Sequence, residues 1–246
     1  MTLIITSFTR QVKLLMYGIY VWFIFISLSI PVLILLILTP TRIGRRTVAH
    51  WSAKLLFFLI GTHVHLEGMK WLPKSNSIVI ANHASYLDGI ILTAMLPPNF
   101  TFLIKQEMTN VPFAGYLLKR IGSEFVDRTK FTLRNKAARR LFKAAEKGES
   151  LAFFPEGTFI RQPGLQTFHM GAFRSAYRAK LPVVPIVISG SRKKLPANSW
   201  LCVPGSISVE ILKLISPDSV LSAQKLLQEA RTAMLKSLKE PDLDKE

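Results

Sequence analysis

At 246 residues the chain has room for one substantial domain, or for a domain behind an anchor. Hydrophobic residues make up 49%, mean hydropathy is +0.30, and 32 Lys and Arg against 15 Asp and Glu leave a net charge of +17. That charge selects anionic partners, nucleic acid or an anionic membrane. The apolar excess argues for the membrane and against nucleic acid, since a nucleic-acid binder has no use for it.

Residues 15–39 carry no charge. A helix needs roughly 20 apolar residues to cross the hydrocarbon core, so this stretch is long enough. A cleaved signal peptide fits poorly, because the run is too long and no small-x-small site follows it. Pro31 can kink the segment, which leaves open both a full span and a hairpin dipping into one leaflet. Arg42, Arg45, Arg46 and Lys54 follow, against Arg10 and Lys13 before, so the positive-inside rule puts everything after residue 41 in the cytoplasm. Residues 47–61, with Trp51, Leu55, Leu56, Phe57, Phe58 and Ile60, read either as an interfacial helix or as a core helix of the domain.

After Gly61 the pattern changes. His63-Val64-His65-Leu66-Glu67 alternates like a short strand. Its two histidines share a face but have no cluster of further ligands beside them, so no metal site is expected. Ser77–Ala81 is an apolar strand, and 88–96 an apolar helix closed by Pro97 and Pro98. Phe100–Ile104 is a strand ending at Lys105, Met108–Ile121 a helix stopped by Gly122, and Glu124-Phe125-Val126 a short strand. Residues 130–147 read as a basic amphipathic helix suited to an anionic partner, with a solvated face as the plain alternative. Strands at 151–154, 183–188 and 207–212, helices at 169–179 and 219–239, and a charged, mobile tail from Pro241 complete the chain. The lone cysteine, Cys202, fits a reducing compartment and reads as core packing. Strands and helices alternate, which predicts an α/β fold: a mostly parallel central sheet flanked by helices, preceded by an N-terminal membrane-embedded helix or hairpin. The expected division is an anchoring segment over 1–60 and one catalytic domain over 61–246.

Three stretches carry chemistry. The first is Asn82-His83-Ala84-Ser85-Tyr86-Leu87-Asp88, a buried strand that ends in a histidine with a carboxylate five residues on. Residues five apart do not face each other within a helix. They meet only if His83 precedes the first turn, and Ser85-x-x-Asp88 has the pattern of a capping box that would start the helix there. Asp88 would then hold one imidazole nitrogen and leave the other to take a proton from an attacking hydroxyl. From this stretch alone, catalysis and a merely capped helix stand equally open. The second, Phe153-Phe154-Pro155-Glu156-Gly157-Thr158, empties an apolar strand into a tight turn. Its backbone amides and Gly157 suit an oxyanion or a phosphate, and Glu156 suits substrate hydroxyls or an ion pair. The third, Gly122-Ser123-Glu124-Phe125-Val126-Asp127-Arg128, ends in an arginine able to grip a phosphate bidentately.

Together with Val184-Pro185-Ile186, these motifs stand in the order and spacing of the glycerolipid acyltransferases. The chain resembles most the 1-acylglycerol-3-phosphate (lysophosphatidic acid) acyltransferases, over about residues 60–190. The resemblance implies that His83 is the general base and Asp88 its orienting carboxylate. It also implies that Gly122, Phe125 and Arg128, then Glu156, Gly157 and Thr158, serve the acceptor and its phosphate, with Lys105 contributing to the same anion site. The fourth block would serve the acyl donor or packing.

The implied reaction is direct transfer of a fatty acyl group from acyl-CoA or the acidic acyl-carrier protein to the hydroxyl of lysophosphatidic acid. It gives phosphatidic acid in phospholipid biosynthesis, with no metal and no bound cofactor, on the cytoplasmic face of a membrane such as a bacterial inner membrane. One departure bears on the acceptor. The family's third block continues with arginine straight after the threonine, whereas here Phe159 and Ile160 intervene before Arg161. Another lysophospholipid, a lyso-aminolipid or glycerol-3-phosphate is the alternative acceptor. A non-enzymatic lipid-binding protein is the rival of a different class. No Gly-x-Ser-x-Gly elbow supports a serine hydrolase.

Overall fold

The computed structural model describes residues 2–111, 113–126 and 149–244, with side chains from Phe8 onward. Arg128 and the basic 130–147 segment lie outside the described residues. The helices are α1 (Thr2–Leu38), α2 (Arg42–Leu59), α3 (Asp88–Met95), α4 (Ala114–Arg120), α5 (Gly171–Ala179), α6 (Ser191–Lys194) and α7 (Ala223–Leu238). The strands are β1 (Val64–Glu67), β2 (Ile78–Ala81), β3 (Phe100–Lys105), β4 (Glu124–Val126), β5 (Ser150–Phe153), β6 (Val183–Ser189) and β7 (Ile207–Ile211). They form one seven-stranded sheet in the order β1-β7-β6-β2-β5-β3-β4.

The sheet is mostly parallel, as the alternating pattern predicts. β6, β2, β5, β3 and β4 run the same way, and β7 pairs antiparallel with β6 and parallel with β1. The central strands β2 and β5 are buried at every position, which is why their sequences read as continuous apolar runs rather than alternating ones. One face of the sheet carries Val79, Ala152, Val184 and Ile186 against α2 and α3. The other carries Ile78, Ile80, Leu151 and Val183 against α5 and α7.

α1 and α2 form an antiparallel hairpin turned at Thr39–Thr41. The Thr41 side chain caps α2 by accepting from the N–H of Gly44. One face of α2 is buried, with Ala53, Leu56 and Phe57 in the same core as Val79 and Ile91, while Trp51, Leu55 and Phe58 point outward. At the start of α2 the buried Arg46 donates to the carbonyl of Ile121 at 3.0 Å and to the Thr101 hydroxyl at 2.6 Å, tying the hairpin to the amino edge of β3 and β4.

Two elements differ from the sequence reading. The helix expected over Met108–Ile121 is instead a 3-10 turn (Gln106–Asn110) followed by α4. Val111 is extended at φ −75°, ψ 116°, as a residue before proline is pushed to be, and Phe113 takes φ +67°. The segment after α7 was expected to be a mobile tail. It docks instead: Leu165 N–H donates to the Pro241 carbonyl at 2.9 Å, and Leu243 N–H donates back to Leu165 at 3.1 Å.

Candidate active site

The carboxyl ends of β2, β5, β3 and β4 lie on one edge of the sheet, where open α/β sheets bind their ligands. β2 delivers Asn82 and His83 to that edge, and neighbouring β5 delivers Phe154–Thr158. The Asn82 amide continues the ladder past the strand end. Its Nδ2 donates to the Ile188 carbonyl at 2.9 Å and its Oδ1 accepts the Ile188 N–H at 2.7 Å, locking the segment to β6 just before the histidine.

His83 Nδ1 and Asp88 Oδ2 are 3.0 Å apart. Asp88 is the first residue of α3 and fully buried, and the same oxygen accepts the N–H groups of Ala84 at 2.6 Å and Ser85 at 2.8 Å. A carboxylate only accepts, so Nδ1 carries the hydrogen and Nε2 of the neutral ring is left as a base. The capping-box expectation holds in one half. The carboxylate takes the Ser85 N–H, but the Ser85 hydroxyl accepts from Leu87 N–H at 3.1 Å and donates to the Leu195 carbonyl at 2.7 Å. The helix therefore begins at Asp88, one short turn after Ser85, and that turn folds the carboxylate back beneath the ring.

The imidazole, with its side chain 18% exposed, stacks on Phe154 at 4.2 Å between centroids and 17° between planes. Phe159 lies 4.5 Å from it at a tilt of 55°, and exposed Tyr86 meets Phe159 edge-on at 4.7 Å. The space in front of the base is thus walled by aromatic rings.

Glu156 sits elsewhere than the sequence suggested. It is 4% exposed, and both carboxylate oxygens are used inside the protein. Oε1 accepts the His83 N–H at 2.6 Å, and Oε2 accepts the Gln166 N–H at 2.9 Å and its side-chain amide at 3.3 Å. Burial pushes its pKa up to about 7, against the downward pull of those hydrogen bonds and of Arg192. Gly157 takes φ +77°, a left-handed turn that favours glycine, and its N–H closes the turn on the Phe154 carbonyl at 3.0 Å. The N–H groups of His83, Ala84, Ser85 and Gly157 are therefore spent within the fold, so none is a spare oxyanion donor. Thr158 is exposed, and its carbonyl accepts from Gln166 Nε2 at 3.0 Å.

Lys105 is exposed at the end of β3, on the same edge, in register with Val126 of β4. Phe125 is half-buried within β4, opposite Ile104. Gly122 precedes β4 at the opposite, amino edge. It takes φ +77°, and a side chain there would run into Arg42 at 2.9 Å, so it shapes the entry to the strand rather than the mouth of the site. Arg161 is exposed on the loop beyond Phe159.

Arg192 escaped the sequence reading, because Ser191-Arg192-Lys193-Lys194 looks like a solvated basic run. Its guanidinium turns inward, donating to the carbonyls of Ile160 at 2.6 Å and Gln162 at 2.7 Å. Lys194, 1% exposed, donates to the Tyr17 hydroxyl at 3.0 Å and the Val203 carbonyl at 3.2 Å, linking α1 to the domain. Cys202 is buried, and burial raises its thiol pKa, as suits a packing residue. His65 pairs with Glu67 at 2.9 Å, and no group of three potential metal ligands occurs among the described residues.

Comparison with known proteins bears on the same region. The Acyltransferase family matches residues 63–189. The 1-acyl-sn-glycerol-3-phosphate acyltransferase of Saccharomyces cerevisiae is 32% identical over 213 residues, which cover 81% of this chain and 69% of that one. The lyso-ornithine lipid O-acyltransferase of Pseudomonas aeruginosa is 34% identical over 158 residues, 64% of this chain and 58% of that one. The crystal structure of the 1-acyl-sn-glycerophosphate acyltransferase of Thermotoga maritima shares the fold, with a TM-score of 0.81 over 94% of this chain and 96% of that one at 22% identity.

Proposed function

The chain belongs to the Acyltransferase family and is an O-acyltransferase, and on that premise we propose that it acylates the free hydroxyl of lysophosphatidic acid, giving phosphatidic acid for phospholipid synthesis. The observation that carries the mechanism is the 3.0 Å contact between His83 Nδ1 and the buried Asp88 carboxylate at the carboxyl edge of the sheet. Nε2 takes the proton of the acceptor hydroxyl as its oxygen attacks the carbonyl carbon of an acyl thioester, of CoA or of acyl-carrier protein. The imidazolium is stabilised by Asp88. The tetrahedral adduct then collapses, the thiolate leaves, and the imidazolium returns the proton to it. No bond to the enzyme forms. Lys105, Arg128 and Arg161 are the cations assigned to the acceptor's phosphate. Gly122 and Phe125 act by setting β4 beside Lys105.

We assign residues 1–60 the role of a membrane anchor facing the cytoplasm. Phe8–Leu38 is long and apolar enough to cross a membrane. Its outer face exposes Ile19, Phe23, Ile26 and Ile30, whereas the Tyr17 and Tyr20 hydroxyls on its inner side donate to the carbonyls of Ile60 and Leu59 at 2.9 and 2.8 Å. A helix seated on the domain by one face and apolar on the other supports a hairpin buried in one leaflet over a bare span.

A second reading of the acceptor rests on Phe159. A phosphate monoester carried on the carbon next to the acylated one must lie close to His83, where the structure sets phenyl rings. That wall favours an acceptor whose hydroxyl is flanked by hydrocarbon, such as a lyso-aminolipid. One experiment tests both readings. Purified protein in mixed micelles is given labelled acyl-CoA or acyl-carrier protein and a panel of lysophosphatidic acid, other lysophospholipids and a lyso-aminolipid, beside a His83→Ala control. Transfer to none of them, or equal transfer by His83→Ala, overturns the enzyme assignment. The preferred acceptor separates the two readings.

A further inference from the structure

Glu240–Asp244, the charged segment after α7, is built into the wall of the site. The Glu240 carboxylate accepts the Gly164 N–H at 2.8 Å and pairs with Arg192 at 3.1 Å. Pro241 and Leu243 exchange backbone hydrogen bonds with Leu165 at 2.9 and 3.1 Å. Asp242 pairs with Arg231, which also donates to the carbonyls of Leu165 and Gln166, and Asp244 bonds the Thr167 hydroxyl. Every residue from Gly164 to Thr167 is thus held from this segment or through Arg231.

Two chains of direct contacts run from there to His83. In the first, Gln166 holds one oxygen of Glu156, and the other oxygen holds the His83 N–H. In the second, Arg192, anchored by Glu240, holds the carbonyls of Ile160 and Gln162. It thereby fixes the backbone that presents Phe159 to the imidazole.

We propose that Glu240–Asp244 is a positioning strap for the transferase site. It fixes the loop over residues 156–167 and, through Glu156 and Phe159, the placement and one face of His83. The proposal rests on His83 being the base. The contacts from the strap to His83 run through the loop, so its residues position the base rather than take part in the chemistry. The Glu240 and Asp242 side chains keep 27% and 20% exposure, so each ion pair alone contributes little, and the strap holds through the backbone ladder and the pairs together. A reacting group displaced by about an ångström loses up to ~100-fold in rate, which sets the scale of the effect.

The test compares the full chain in mixed micelles with deletion of residues 240–246 and with Glu240→Gln, which removes the charge and keeps the shape. The readouts are kcat, KM for acyl-CoA and for lysophosphatidic acid, circular dichroism, and the rate of tryptic cleavage after the exposed Arg161. The deletion is expected to lower kcat by about tenfold or more, with KM for acyl-CoA within about twofold, and to hasten cleavage at Arg161 while the fold persists. Glu240→Gln is expected to fall between the deletion and the wild type. If the deletion does not fold, Glu240→Gln combined with Asp242→Asn becomes the deciding variant. A folded deletion, or the folded double variant where the deletion fails, with wild-type kcat or with Arg161 as protected as in wild type overturns the strap. A wild type that acylates no acceptor overturns the proposed function instead, a result distinct from either.

Discussion

Asp88→Asn separates the shape of the base–carboxylate unit from its charge. The amide oxygen can replace Oδ2, accepting from Ala84 N–H, Ser85 N–H and His83 Nδ1–H, so the turn and the tautomer are retained. The amide nitrogen falls where Oδ1 stands, a buried atom with no hydrogen-bond partner among the described residues. Leaving that group unpaired costs about 1–3 kcal/mol of stability. What disappears is the negative charge facing the imidazolium that forms during transfer. Unit charges about 4 Å apart at an effective dielectric near 20 attract by about 4 kcal/mol. That corresponds to about three orders of magnitude in kcat at ~1.4 kcal/mol per decade. The assay is transfer of labelled acyl groups at saturating acceptor and donor, with folding checked by thermal denaturation. Asp88→Ala serves as the contrast, because it also strands the Ala84 and Ser85 N–H groups and unfolds more easily. A folded Asp88→Asn enzyme within tenfold of wild-type kcat refutes the assignment of Asp88 as the charge that supports His83.

Glu156 titrates at about 7 because it is buried, whereas its ordinary value is 4.5. A carboxyl raised in the folded state contributes stability that is fully present below 4.5 and lost as pH rises through about 7. That loss amounts to about 3 kcal/mol by pH 8 at ~1.4 kcal/mol per pH unit. Melting curves of wild type should therefore lose several degrees more than Glu156→Gln between pH 5 and 8, and parallel curves would show that the carboxyl is not the titrating group. Phe159→Arg puts a cation against the aromatic wall and is expected to raise kcat/KM for lysophosphatidic acid, relative to a lyso-aminolipid, by about tenfold, the scale of one charged hydrogen bond. An unchanged ratio removes Phe159 from acceptor selection. Replacing Ile19, Phe23, Ile26 and Ile30 with serine strips the outer face of α1. At about 1.5–3 kcal/mol for each large apolar side chain, the variant should leave liposomes in a flotation assay while its circular dichroism persists. Continued flotation would mean that another surface carries membrane binding.

The sheet was legible because its buried strands are apolar runs cut off by chemistry-bearing turns, and Asn82-His83 and Phe154–Thr158 mark two such cuts. The His83–Asp88 contact was legible too, since five residues spanning a helix start admit few geometries. The inward turn of Glu156 was not. Nothing local distinguishes a carboxylate aimed at substrate from one that braces a neighbouring strand end, because its partners His83 and Gln166 come from separate parts of the fold. Arg192 and Lys194 were missed for the same reason: a run of basic residues suggests solvent until the carbonyls that receive them are known. The break in the helix before α4 was there to be read, in the proline that follows Val111. Arg128 belongs to neither group, since it lies outside the described residues.

Among the described strands, the antiparallel step between β6 and β7 decides where the apolar helix meets the site. Because β7 runs against β6, the starts of β7 and β1 fall on the same edge as the carboxyl ends of β2 and β5. The chain enters β1 from Ile60, so the end of α2 arrives at the catalytic edge, and α1, running back along α2, brings Tyr17 to Ile60 there. Lys194 donates to the Tyr17 hydroxyl one residue before Leu195, whose carbonyl accepts from the Ser85 hydroxyl inside the turn that holds Asp88. An all-parallel sheet would start β1 at the far edge and leave the hairpin anchored only near Arg46, a strand's length from the base. With the reversal, the apolar helix and the turn carrying the base–carboxylate pair share one short segment, 191–195. The apolar helix and His83 are thereby held in fixed relation, which is what the proposed acylation of a lipid-borne hydroxyl by an anchored enzyme would require.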